Sequence, residues 1–221
     1  RLAEAVTAEY RRRGYVLSSA VVTPQSVQNG VATIQVIEGY ISETRIEGDP
    51  GGYGPLLDGY FAPVRAERPT SGDDLARALL LARDLKGASV RAVLTPSSAV
   101  GAADLALVVE RKPVEAFFAV DNRGSRWLGP AQIFGGIVLN DIAHLGGRLV
   151  VTTVTAPDES GELAFVSGAY DQPIGGSGLR MSGFASYART KPGDELRVLG
   201  VKGKSFSWGL ALQYPLLRSR A

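Results

Sequence analysis

The chain has 221 residues, 45% hydrophobic and 21% charged, with a formal net charge of +2. That length accommodates one large domain or two to three small ones, and so small a charge gives no nucleic-acid surface held by field alone. The absence of cysteine excludes disulfides and thiolate chemistry and is compatible with an exported bacterial protein. No apolar run approaches the roughly 20 residues that a membrane-spanning helix needs.

Arg1-Leu2-Ala3-Glu4 opens directly on a helical pattern with no signal peptide ahead of it, so the chain is expected to start inside a domain. Leu2 to Arg13 predicts an amphipathic helix: Leu2, Val6 and Tyr10 are four apart on one face, and Gly14 supplies a stop. Arg11-Arg12-Arg13 invites a phosphate-binding reading, but cations favoured at the negative end of a helix explain it with less. Tyr15 to Thr23 and Val31 to Glu38 read as strands around a polar loop, Pro24 to Gly30.

A new unit opens with a strand, Tyr40 to Gly48, and a short helix, Tyr53 to Phe61. Beyond a loop from Ala62 to Pro69, Thr70 or Ser71 caps a helix, Asp73 to Leu85, with two acids in its first turn. Strands follow at Ala88 to Thr95 and Asp104 to Glu110, giving the order strand, helix, helix, strand, strand. The two parts repeat. A shift of 73 places Leu2 on Leu75, Ala5 on Ala78 and Gly14 on Gly87, and a shift of 72 places Thr23-Pro24 on Thr95-Pro96 and Glu38 on Glu110. Tandem modules are expected, the first without its leading strand and helix.

From Val114 the apolar period becomes two. Strands are predicted at Val114 to Asn122, Ala131 to Asn140, Arg148 to Ala156, Glu162 to Gln172, Leu179 to Arg189 and Ser205 to Tyr214. The last alternates Phe206, Trp208, Leu210, Leu212 and Tyr214 with small and polar residues. A transmembrane barrel strand needs about 9–11 residues, an apolar lipid face and aromatic girdles. Charges are sparse here, only eight between Trp127 and Thr190, which favours the membrane over a soluble sandwich whose strands also alternate. Six strands do not close such a barrel, since the smallest have about eight, so further strands are expected downstream.

Several segments together resemble the outer-membrane transporters of two-partner secretion (TpsB), hemolysin secretion/activation type, in the Omp85 superfamily. Tyr10-Arg11-Arg12-Arg13-Gly14-Tyr15 resembles the helix-to-strand segment of its first POTRA domain, and Val36-Ile37-Glu38-Gly39 resembles that domain's exit. Arg77 to Gly87 is similar to the second POTRA helix. Asp121, Asn122, Gly124, Ser125 and Gly129 match the "DNxGSxxxG" signature of the first barrel strand and loop, and Tyr214-Pro215-Leu216 matches a strand-ending "YPL". The family's "VRGY" motif of the long gating loop is not found.

The resemblance implies α+β POTRA domains of order β-α-α-β-β, followed by an incomplete antiparallel outer-membrane β-barrel: six strands of an expected 16. The implied domains are residues 1–39, the C-terminal part of a first POTRA domain; 40–112, a second; and 113–221, the barrel strands. The implied function is an outer-membrane transporter with periplasmic POTRA domains. These recognise a secreted exoprotein, of adhesin or hemolysin type with an N-terminal secretion domain, which then passes through the barrel. A barrel assembly factor of the same superfamily and a soluble POTRA-containing binding protein are the alternatives. Exposed POTRA edges, Val16, Ser18 and Ala20 in the first module and Ser89, Arg91 and Val93 in the second, would take an extended client by strand addition. Phe206, Trp208, Leu210, Leu212 and Tyr214 would face lipid. The expected partners are the exoprotein and outer-membrane lipid, without nucleic acid, and the expected state is a monomer.

No enzyme constellation emerges, and no catalytic, cofactor-binding or metal residue is assigned. His144, the only histidine, reads as exposed in a turn. Asp158, Glu159 and Glu162 read as a solvated hairpin loop. Gly175 to Gly178 is no phosphate loop, because a strand follows it and no lysine accompanies it.

Overall fold

A computed structural model describes residues 1–25, 31–157 and 161–218. Two compact units emerge: one contains Arg1–Arg111 with Gly175–Gly178 and the segment from Pro215, the other Lys112–Ile174 with Leu179–Tyr214.

The first unit opens with α1 (Leu2–Arg12) and a two-stranded antiparallel sheet, β1 (Ser19–Val21) with β2 (Gln35–Ile37). Both strands are shorter than their sequence pattern suggests, and residues 26–30 of the expected loop lie outside the described residues. Residues 15–18 turn instead of extending: the Ser18 amide bonds the Tyr15 carbonyl at 3.1 Å and the Val16 amide bonds that of Gly14 at 3.0 Å.

The second part follows the anticipated order: β3 (Tyr40–Gly48), α2 (Gly54–Ala66), α3 (Gly72–Arg83), β4 (Ala88–Pro96) and β5 (Ala102–Arg111). Its sheet runs β3-β5-β4, parallel then antiparallel. Helix α2 starts after a 3₁₀ turn at Gly51–Tyr53 and continues through Pro63 to Ala66, past the expected end at Phe61. Proline removes one helical hydrogen bond. Burial outweighs that loss, because Leu57, Phe61 and Val64 are wholly enclosed and each buried side chain of this size contributes about 1.5–3 kcal/mol. They pack with Ile41, Tyr53, Leu81, Leu107 and Val109 into one core. The Ser71 side chain caps α3 by accepting from the Asp74 amide at 3.3 Å, and buried Thr70 accepts from the Ile41 amide at 2.9 Å.

Helix then hairpin recurs in both parts, as the internal repeat predicts, although the hairpin registers differ by one. Ala20 opposes Val36, whereas Ala92 opposes Leu107 and not Val108. Also within this unit, Gly59 and Gly176 approach so closely that a Cβ on Gly59 would lie 2.8 Å from the Gly176 Cα. Arg77 donates to the carbonyls of Ser177 (3.3 Å) and Pro215 (3.1 Å), and Arg218 pairs with Asp84 at 2.7 Å.

The second unit is a six-stranded antiparallel meander of β6 (Val114–Asp121), β7 (Gln132–Ile142), β8 (Gly147–Thr155), β9 (Leu163–Ile174), β10 (Leu179–Thr190) and β11 (Gly203–Gln213), each strand paired with its sequence neighbour. All six predicted strands form, each within a few residues of its expected bounds. β9 extends past Gln172 to include Pro173, and the loop after β10 winds into a 3₁₀ helix at Asp194–Leu199. Tyr214 falls one residue beyond β11.

Candidate functional site

Register decides what the meander offers chemically, since residues directly opposite one another share a face. Phe206, Trp208, Leu210 and Leu212 stand opposite Tyr187, Ala185, Gly183 and Met181. Continuing through the ladders, this face carries Tyr170, Val166, Val151, Ile137, Phe118 and Val120. It is an apolar surface turned outward: Trp208 is 67% exposed and Leu210 77%.

The opposite face is mixed. Thr152, Ser167, Ser186 and Ser207 are consecutive register partners, one hydroxyl per strand across four strands. Phenyl rings flank this row, and two lie over glycines of a neighbouring strand. A Cβ on Gly136 would sit 2.6 Å from the Phe117 Cζ, and one on Gly209 would sit 2.7 Å from the Phe184 Cε1, so these glycines are sites of close approach. Towards the ends joined by the 143–146 and 175–178 turns the same face becomes charged. Asp171 is bonded to Arg180, and Asn140 donates to the Lys112 carbonyl (2.7 Å) and Glu115 Oε1 (3.0 Å).

The loop between β6 and β7 holds the signature residues, and their work is structural. Asp121 Oδ1 accepts from the Arg123 amide (3.1 Å), and the Ser125 hydroxyl accepts from the Leu128 amide (3.2 Å). Gly129 has φ +89°, and a side chain on Gly124 would strike the Gly129 carbonyl; Asn122 is exposed. The folded loop bonds to the one after β10. The Gly193 amide donates to the Trp127 carbonyl at 2.8 Å, and Arg126 stands 3.6 Å from Asp194 and 3.4 Å from Glu195. Sequence reading missed Glu162, expected in solvent. It is buried, faces Arg197 at 3.6 Å, and its carbonyl accepts from the Lys191 amide; Asp158 and Glu159 lie outside the described residues. His144 is exposed in its turn, its Nδ1 3.5 Å from Asp141.

The sheet edges divide the candidate client residues. Of Val16, Ser18 and Ala20, only Ala20 lies in a strand. Its amide is taken by the Thr7 hydroxyl at 2.9 Å, while Ser18 is 1% exposed and accepts from the Gly39 amide. This edge is therefore closed at the positions where it was expected to be open. Ser89, Arg91 and Val93 all lie in β4, whose far side carries no strand among the described residues. The arginine cluster resolves as charge pairing: Arg12 and Arg13 bond Glu9 at 2.7–2.8 Å and hold its carboxyl well below the usual range, at about 2. Tyr10 donates to Glu38 beside a groove of about 580 Å³ lined by Leu2, Val6, Tyr15 and Ile34. Among the described residues no group of His, Asp or Glu is placed to hold a metal ion.

A family model for the POTRA domain, ShlB-type, matches residues 1–39. Heme/hemopexin transporter protein HuxB of Haemophilus influenzae (strain 86-028NP) is 23% identical over 224 residues, covering 99% of this chain and 39% of its own length. Outer membrane transporter CdiB of Escherichia coli O6:K15:H31 (strain 536 / UPEC) is 29% identical over 145 residues, covering 62% of this chain and 23% of its own. Among solved structures, CdiB from Escherichia coli superposes with a TM-score of 0.73 at 23% identity, over 99% of this chain and 41% of that one. BamA from Haemophilus ducreyi superposes at 0.61 and 16% identity, over 97% and 41%; these likenesses speak for the fold. The chain spans about two fifths of the length of the HuxB relatives. A ShlB-type module at the start, transporter relatives and a shared POTRA-then-strand fold converge. The chain is thus similar to outer-membrane transporters over nearly its whole length, and it shares their fold of POTRA-like modules followed by antiparallel strands.

Proposed function

We propose that this chain is the POTRA-to-barrel portion of a transporter that recognises a secreted exoprotein in the periplasm and passes it outward through its barrel. The observation that carries this reading is the two-faced meander, with an apolar outer surface of exposed aromatic and aliphatic side chains and a mixed polar face behind it. Only a membrane makes the first face stable and a lumen gives the second a use. On this reading residues 1–39 and 40–112 are POTRA modules and 113–221 the first barrel strands. Phe206, Trp208, Leu210, Leu212 and Tyr214 face lipid. Ser89, Arg91 and Val93 on the open edge of β4 receive an extended client segment through main-chain hydrogen bonds, the exoprotein carries an N-terminal secretion domain, and the transporter is a monomer.

The test is deletion of the gene. A large exoprotein encoded beside it should vanish from the medium and accumulate in the periplasm. Unchanged export would overturn the reading. A barrel assembly factor, the alternative that the BamA likeness keeps in play, predicts instead a general fall in outer-membrane barrel proteins.

A further inference from the structure

Two arginines stand on the mixed face of the meander, and they are placed differently. Arg180 is bonded to Asp171. Arg148 sits directly between Asn140 and Asp171 in register, yet Asp171 turns to Arg180. No ion pair or hydrogen bond forms from the Arg148 side chain among the described residues. Its Nε is shut off from water without a partner, and so is the Oδ1 of Asn140 on the neighbouring strand. Asn140 itself is 6% exposed and pinned by its amide to Glu115 and the Lys112 carbonyl. A buried donor and acceptor left unmade on adjacent strands keep their desolvation cost unless something completes them.

The geometry points to Arg148 as a carboxylate-reading contact on the lumen wall near its periplasmic end, with the Asn140 oxygen beside it as the acceptor for a ligand N–H. The inference rests on the transporter reading and adds a ligand chemistry to it. A guanidinium offers a planar fork matched to a carboxylate, and the Asn140 oxygen lacks an N–H donor. An acidic residue of an extended polypeptide supplies both, the carboxylate from its side chain and the N–H from its backbone. A free inorganic anion supplies only the first. The neighbouring wall suits the same occupant: the hydroxyls of Thr152, Ser167, Ser186 and Ser207 take main-chain groups, and Phe117 and Phe184 take apolar side chains.

The experiment uses the complete transporter in planar lipid bilayers, with a short aspartate-rich peptide added on the periplasmic side and a lysine-rich peptide of equal length as control. The wild-type channel should be blocked by the acidic peptide in preference to the basic one. R148Q, which keeps a polar side chain but drops the charge, should weaken the block by about tenfold, on the scale of one charge-assisted hydrogen bond. R148K should fall between them, because it keeps the charge and loses the fork. N140A should weaken the block less than R148Q. Equal block of wild type and R148Q overturns the inference, as does a conducting wild-type channel that ignores the acidic peptide. Failure of the intact protein to insert and conduct at all would be a different result, striking the transporter reading itself.

Discussion

The helix-and-sheet module of β3 to β5 and the strand meander use similar side chains to opposite ends. In the module, Tyr53, Leu57, Phe61 and Val64 are sealed inside. In the meander, Phe206, Trp208, Leu210 and Leu212 are two-thirds or more exposed. Water explains the first, since apolar burial is the main favourable term in folding. On the transporter reading the second meets lipid, where apolar surroundings suit it and backbone groups are satisfied between strands. One chain thus contains two solvents' worth of folding rules, and the transition falls near Lys112-Pro113.

Substitutions can separate these rules. Phe61→Ala in the module should have the largest effect, about 3–5 kcal/mol of lost stability from cavity and transfer terms, read as early denaturant unfolding of a fragment that carries the module. No loss would mean that this core is not the module's main support. Leu210→Arg tests the meander. A charge on a lipid face costs about 2–4 kcal/mol near the midplane and should reduce detergent-free folding into vesicles, whereas Ser207→Arg on the opposite face should fold nearly normally. Equal behaviour of the two would sink the two-faced assignment.

Smaller effects sharpen the module side. Ser71→Ala removes the cap of α3 and should cost about 1 kcal/mol, measured by thermal melting. The smallest is a titration. Glu9 has its carboxyl depressed from 4.5 to about 2 by Arg12 and Arg13. Its contribution is therefore complete above pH 4.5 and fades as pH falls towards 2. NMR should place its midpoint near the lower value, and the double change of Arg12 and Arg13 to Ala should return it towards the upper one.

Much of this was legible without coordinates. Periodicity of two located all six meander strands, because alternation follows from the pleat itself. The near-70-residue repeat announced two helix-hairpin modules, since helix stops and turn residues recur at fixed offsets. Other features were not legible. Helix α2 passes Pro63 because its far side meets a core assembled from β3, β5 and α3, which local propensity does not contain. Ser18 looked like part of an open edge and is buried, since Gly39 and Thr7 close that edge from elsewhere in the chain. Glu162 looked solvated and is covered by the loop after β10.

The sequence by itself determined which residues share a face of each strand, where the helices cap, and that the apolar pattern changes period at Val114. Tertiary structure decided who stands beside whom. Alternation assigns Arg148, Asp171 and Arg180 to one face, but only the folded sheet sets Asp171 opposite Arg148, turns its carboxylate to Arg180 and leaves the Arg148 Nε without a partner among the described residues. The physical reason is that side-chain period is a local property of the backbone, whereas register and edge closure are set by hydrogen bonds between segments distant in sequence.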